Sequence, residues 1–544
     1  VSWSSAFIAA LQAGSLTYQV VVDGSAVALS SAPSRLPGRA YLAGAPKVSG
    51  MGLRLRDWQA SSGTMTFALT VPRADVSSFR GEWELGDRVQ VFASTGPGGT
   101  TERIWLGRLQ DVIVAPDGTG AVVIDSVVPL ATAPQSAGWG AAARFTDAGQ
   151  SKPSLWFHHM AANVAMSSSY QLATKGFVTT PSLTFNPTTS GQNLALSSVS
   201  GHTLGYSFIS GAAEGAVMVQ GAGASPSVPY LLTYTGISSP NLSGTKLPGP
   251  AKLTPPHYSL STADPVRHVS WVDGHAFDII RGVLQSSSAG TNGAFDVLPA
   301  NWGVAFPDSD IDQVDIAQWY PLLQEPSTPR YSLAVMEQME DGIAPLWEWA
   351  AAIGVWPVMR HGKLSLRAAA DPYDSGLSGV IAMHITDEHI RAVGAQRNRH
   401  PDCPQIARNV LVSTSAFDTG LISSIDGAPE DISTSSSAGT PTGWPRVYSK
   451  TLALGGHIFH DPGDQRKDTG RRLAPWWQRF PADAIVTLTG EALKLVPGDI
   501  VEVTSGIATG PDGAKLSRTR ALVVPSAQDW GERSVEVGLV FLRR

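Results

Sequence analysis

His457 and His460, three residues apart, are the first pair in this 544-residue chain that could do chemistry. On a helix that spacing could grip a metal ion. Gly455-Gly456 before them and Pro462-Gly463 after them break a helix, and no Glu lies between, so a surface loop is the better reading. Asp308, Asp310, Asp312 and Asp315 begin like a calcium loop. Gln313 holds the sixth position, where the sharp turn needs Gly, and Trp319 the twelfth, where the ion needs a bidentate Glu. An acidic loop is expected there instead. His158 and His159 are adjacent and would point apart on a helix. Glu82 with Glu84, or Glu337 with Glu340, could form a glycosidase pair, yet nothing singles one pair out from ordinary exposed acids. There is no G-x-S-x-G elbow and no H-E-x-x-H. The tip Thr95-Gly96-Pro97-Gly98-Gly99-Thr100 lacks the Gly-Lys-Ser/Thr ending of a phosphate loop. Cys403 is the sole cysteine, in a proline-bounded loop with no identifiable His partner. The sequence therefore assigns no catalytic, cofactor-binding or metal residue, and no cofactor is expected.

The bulk numbers bound the protein class. The length predicts about three or four domains. Little charge with abundant Gly, Pro, Ser and Thr fits many short strands on long connections. A net charge of −6 argues against a surface built to hold nucleic-acid backbone. One cysteine allows no intrachain disulfide and no multi-cysteine metal site. No apolar run approaches 18 residues, so no membrane span is expected. Val1-Ser2-Trp3-Ser4-Ser5 lacks a basic n-region, so neither is a signal peptide, and a reducing cytoplasm is the default site of synthesis.

Ser4–Ala13 predicts a short helix capped by Ser4 or Ser5, with Phe7, Ile8 and Leu11 on one face. Strands follow to about residue 128, with Met65, Phe67, Leu69 and Val71 alternating onto one face. Residues 154–165 read as a helix, and 167–256, rich in Ser, Thr, Gly and Pro, as an inserted β domain or a loosely built decoration. Helices are expected over Ala276–Leu284 and Leu333–Ile353, the second interrupted by Pro345. A hairpin turns at Arg360-His361-Gly362-Lys363. Thr386 caps a short helix, and 464–473 is a helix that Pro475 should end. The fold class expected is mainly β with α+β parts: two related small β-barrels, an α/β middle region and an inserted β domain.

The barrels rest on a repeat. Gly86-Asp87 and Gly498-Asp499 each stand before a V-x-V strand. Leu109 and Ala521 lie 23 residues beyond the two glycines, and Val123 and Val535 lie 37 beyond. Both sets fall in β-branched runs, which points to an internal duplication. The expected domains are residues 1–135 and 396–544 for the two barrels, 136–262 for the insert and 263–395 for the α+β middle.

Three stretches resemble the tail hub (baseplate hub or tail-tip) proteins of tailed bacteriophages and gene transfer agents. They are Gly293-Ala294-Phe295-Asp296-Val297-Leu298-Pro299-Ala300-Asn301-Trp302-Gly303-Val304, the unit from Trp347 to Arg367, and Val496-Pro497-Gly498-Asp499-Ile500-Val501-Glu502-Val503. The resemblance covers most of the chain outside 167–256. It implies a non-enzymatic virion tail protein, assembled in the host cytoplasm. It implies a homotrimer whose six barrels match a sixfold tail tube, with a distal tail protein or tube, a tape measure protein and threefold tip or fibre proteins as partners. Genomic DNA would pass through without specific binding. The competing expectation is a carbohydrate-binding or carbohydrate-cleaving surface protein that uses the insert.

Overall fold

The computed structural model describes residues 3–126, 265–285, 306–323, 344–402, 469–510 and 513–542, apart from 26–27, 62, 80, 378, 470, 478 and 480, together with separate strands elsewhere. The fold is mostly β, with large antiparallel sheets and a minority of helix.

The first unit opens with the helix Ser5–Ala13, whose Ser4 Oγ accepts the Phe7 amide at 3.2 Å. Phe7 and Leu11 are buried, and Gly14 ends the helix in the left-handed conformation. Its strands are β1 (Thr17–Val22), β2 (Leu29–Ser30), β3 (Lys47–Arg54), β4 (Gln59–Ser61), β5 (Thr64–Thr70), β6 (Arg88–Ser94), β7 (Thr101–Val114) and β8 (Thr119–Ser126). Met65, Phe67 and Leu69 of β5 are buried in alternation, as the period-2 pattern requires. The order is β2-β1-β6-β7-β8-β5-β3. Segment 39–43 bonds both to β2, by Ser30 N to Arg39 O at 2.7 Å, and to β5, by Thr70 N to Tyr41 O at 2.8 Å. Backbone hydrogen bonds thus run round this unit, which leaves few exposed edges.

Between the units, β9 (Tyr170–Gln171), β10 (Leu183–Thr184), β11 (Gln192–Ala195), β12 (Gly215–Gln220), β13 (Pro229–Tyr234), β14 (Gly236–Ser238), β15 (Asn241–Thr245), β16 (Ser259–Leu260), β17 (Pro265–Gly274) and β18 (Tyr331–Val335) form small antiparallel sheets. The expected helix over Leu333–Ile353 is corrected here. Residues 331–335 are strand β18, paired to β17, and the helix is Ala344–Ala352. Tyr331, Leu333 and Val335 alternate, and a neighbouring strand outweighs weak helical propensity in so short a run. The helix Ala276–Gln285 forms as expected. Residues 154–165 lie outside the described residues.

The hairpin β19 (Val355–Arg360) and β20 (Lys363–Ala368) turns at His361-Gly362, both with positive φ, as a tight two-residue turn demands. The second unit comprises β21 (Ile381–Ile385), β22 (Ile390–Arg397), β26 (Pro481–Thr489), β27 (Ile500–Thr509), β28 (Lys515–Asp529) and β29 (Ser534–Leu542). Strands β23 (Ala407–Thr414), β24 (Glu430–Asp431) and β25 (Tyr448–Leu454) make a separate sheet. Residues 471–477 are helical, so Pro475 does not end the segment before Trp476 and Trp477.

The two units share one strand order. β6-β7-β8-β5-β3 in the first corresponds to β27-β28-β29-β26-β22 in the second. Their Gly-Asp turns carry the same hydrogen bonds. Gly86 N bonds Leu109 O at 2.7 Å and Leu109 N bonds Asp87 O at 2.9 Å; Gly498 N bonds Val523 O at 2.7 Å and Val523 N bonds Asp499 O at 2.9 Å. Each aspartate accepts the amide three residues back, Glu84 at 3.0 Å and Val496 at 3.1 Å. Each long strand then slips register by one residue, between Leu109 and Asp111 and between Val523 and Ser526. Such a bulge bends and twists a strand at a set point. The counterpart of Leu109 is therefore Val523, not Ala521 as equal spacing suggested, and Ile124 matches Leu539. The extra residues lie in β27 and β28, which are bulged twice against each other. The units meet where β3 pairs with β28, so all 14 strands belong to one sheet.

Gly498 gives a test of this turn. A Cβ there would lie 2.8 Å from Trp356 Cζ2, and φ is +98°. Gly513, at φ +77°, has nothing within 4 Å of the same atom. Gly513→Ala should cost about 1 kcal/mol from backbone conformation alone. Gly498→Ala should cost about 2 kcal/mol more, because a packed ring must also move. Urea unfolding of the two variants measures the difference.

Candidate functional site between the two sheet units

Two aspartates from one short segment hold the units together. Asp308–Asp310 forms a single 3₁₀ turn, and Asp312 caps the helix Gln313–Trp319 by accepting the Asp315 amide at 3.1 Å. This places Asp310 toward the first unit and Asp315 toward the second.

Asp310 is fully buried. Its Oδ2 accepts from Arg88 Nη2 at 2.5 Å and its Oδ1 from Arg103 Nη1 at 2.6 Å. Arg88 directly follows the Gly86-Asp87 turn and also pairs with Asp23 at 2.5 Å. Asp315 sits against the hairpin. Its Oδ1 meets Arg360 Nη1 at 2.6 Å, and its Oδ2 accepts from Arg367 Nη1 and from Ser365 Oγ. Arg367 Nη2 donates to Asp499 Oδ1 at 3.0 Å. Asp499 is the aspartate of the second Gly-Asp turn. Each cluster balances two guanidiniums against two carboxylates, which is what burial of charge requires.

Burial disfavours the charged form of Arg367, yet Asp315 and Asp499 outweigh it and raise its pKa above the ordinary arginine value. Burial likewise acts against ionised Asp315, and Arg367 and Arg360 overcome it, so its pKa falls below the usual carboxylate range. Arg367 also lies 4.9 Å over the Trp319 ring. His361 at the hairpin tip packs edge-on against Trp3 with centroids 5.2 Å apart. Burial, helped by Arg360, pushes its pKa down to about 3. Among the described residues neither of its ring nitrogens finds a hydrogen-bond partner. Aromatic packing completes the joint: Trp58 stacks on Trp356 at 5.6 Å and meets Trp476 edge-on at 5.6 Å.

This arrangement ties the two β units together, and its buried carboxylates Asp310, Asp315 and Asp499 all face guanidiniums. Of the four aspartates that begin like a calcium loop, two face arginines and two have local partners. Asp308 accepts from the Gln313 side chain, Asp310 and Asp315 are salt-bridged, and Asp312 caps a helix. Among the described residues no three His, Cys, Asp or Glu side chains gather as around a metal ion. Glu82 pairs with Arg39 at 2.6 Å, and Glu84 is exposed. His158, His159, Glu337, Glu340, Cys403, His457 and His460 lie outside the described residues, as does 293–304. Thr95–Thr100 is the hairpin tip between β6 and β7. Sequence reading missed Arg88, Arg103, Arg360 and Arg367. Only the adjacency of Arg88 to a repeated Gly-Asp could have pointed to one of them.

Asp315→Ala leaves Arg367 buried without its main partner and should cost about 3–5 kcal/mol. Lys47→Ala, at an exposed pair with Asp529, should cost far less than Asp315→Ala, because solvent screens that pair. Chemical denaturation compares them. For His361 the folded pKa lies below the unfolded value, so unfolding takes up a proton as pH falls from about 6.5 toward 3. Stability from this group is full above that window and should drop by about 2 kcal/mol between pH 7 and 5. His361→Asn, which tolerates the positive φ, should flatten that slope in denaturation curves run at the two pH values.

No protein-family profile matches the sequence, and no curated protein sequence does. Among solved structures, the chain is similar to the 43 kDa tail protein of prophage MuSo2 from Shewanella oneidensis, at 9% identity and TM-score 0.34, covering 96% of each chain. It is similar to the tail protein from Neisseria meningitidis MC58, at 9% identity and TM-score 0.36, covering 97% of this chain and 96% of that one. A chain from the virion of a native gene transfer agent particle aligns at 11% identity and TM-score 0.18, over 46% of this chain and 78% of that one.

Proposed function

We propose that this chain is a structural, non-enzymatic component of a phage-type tail. In this role it is a hub whose homotrimer joins a sixfold tail tube to threefold tip or fibre proteins. The observation that carries the proposal is the internal duplication: one strand order, one Gly-Asp turn and one bulge position occur twice in a single chain. A ring of three chains with one docking surface each meets a sixfold partner poorly. Three chains with two like surfaces each give six. The buried clusters around Asp310 and Asp315 support this role, because a symmetry adaptor must hold its two units at a fixed angle.

In this reading residues 1–135 and 396–544 supply the paired units, 263–395 the wedge between them, and 136–262 an outward decoration. A distal tail protein or tube, a tape measure protein and fibre proteins are the partners, and DNA passes through the ring without specific contacts. The mild net charge of −6 suits a wall that must not hold phosphates.

Mass photometry followed by class averaging tests the proposal. The expected result is a trimer with a central channel and six like lobes. A strict monomer at micromolar concentration counts against it. Cleavage of host polysaccharide that is lost on changing one carboxylate would favour a carbohydrate-active protein instead.

A further inference from the structure

The joint between the two units shows how a second copy would attach. Inside the chain, β3 of the first unit lies along the C-terminal half of β28 in the second. Met51 stands opposite Ser526, Val48 opposite Gln528 and Lys47 opposite Asp529. A Lys47–Asp529 ion pair at 2.9 Å and a bond from Trp530 N to Pro46 O at 3.1 Å complete the joint.

Each member of this joint has a counterpart in the other unit. Val48 pairs with Met65 of β5, and Gln396 of β22 pairs with Ala484 of β26. Met65 faces Ile124 and Ala484 faces Leu539, which are equivalent residues. So β22 stands in the second unit where β3 stands in the first. Likewise β7 beyond its bulge, from Asp111 onward, stands where β28 does beyond its own.

Among the described residues, no strand pairs with β7 over Asp111–Ile113 on the side away from β8, and none pairs with β22 on the side away from β26. Ile113 is 54% exposed. Six of the eight residues of β22 are exposed, covering both faces of the strand. A strand edge in that state is a template for another chain.

We infer that β22 of one copy pairs with the Asp111–Ile113 edge of β7 in a second copy of this chain, repeating between chains the β3–β28 joint made within one. This rests on the hub reading and adds the surface through which the copies meet. Each chain offers one edge of each kind, so the contact is head-to-tail and can close into a ring. Carrying over the internal register sets Ile113 beside Arg397 and brings Asp111 diagonal to Arg397, within reach across paired strands.

The test uses the full chain with Cys403→Ser, adding Ile113→Cys, Arg397→Cys, or both. Both added positions are exposed, and circular dichroism checks that each variant folds. Mild oxidation of a mixture of the two single variants should link one to the other, and the double variant should yield covalent trimers. On the unsubstituted chain, hydrogen exchange should slow at 111–113 and along β22 at assembling concentration. A trimer by mass photometry with no such link and no such protection overturns this edge assignment and leaves the hub reading standing. A monomer overturns both. Ile113→Cys linking to itself also overturns the assignment, because β7 would then meet β7.

Discussion

A guanidinium with no access to water organises the centre of this molecule. Arg367 is neutralised by Asp315 on one side and Asp499 on the other, and those acids belong to different elements. An uncompensated charge at that depth would cost several kcal/mol, so the three groups must arrive together. The hairpin β19–β20 carries Arg360 and Arg367 and wedges under the second Gly-Asp turn. Gly498 admits it there, because only a residue without Cβ lets Trp356 come so close. Asp310, five residues before Asp315, does the matching task for the first unit through Arg88 and Arg103.

That pairing gives the duplicated units a rigid relation. Apolar burial drives the collapse but is indifferent to angle. Ion pairs with defined geometry, bridging two units through one short segment, restrict how they can sit. The shared β3–β28 edge adds a directional backbone link, and Trp58, Trp356 and Trp476 fill the space between.

The duplication could be read from two Gly-Asp pairs before V-x-V strands. Its spacing could not. Equal counting set Leu109 against Ala521, while the hydrogen bonds match it to Val523, because bulges in β27 and β28 absorb residues without changing the order of strands. Propensity also gave way at Tyr331–Val335, where a partner strand waits in space.

The sequence by itself determined the strand-rich class, the capped N-terminal helix, the hairpin at His361-Gly362 and the presence of a repeat. All of these follow from local rules: alternation, caps and positive φ in turns. Tertiary structure alone decided that Asp310 and Asp315 serve arginines up to 222 residues away, while Asp308 and Asp312 keep local partners. An isolated carboxylate looks the same in a sequence whether it will meet calcium or guanidinium. Its partner is chosen by which distant strand the fold brings against it, and that is a property of packing in three dimensions.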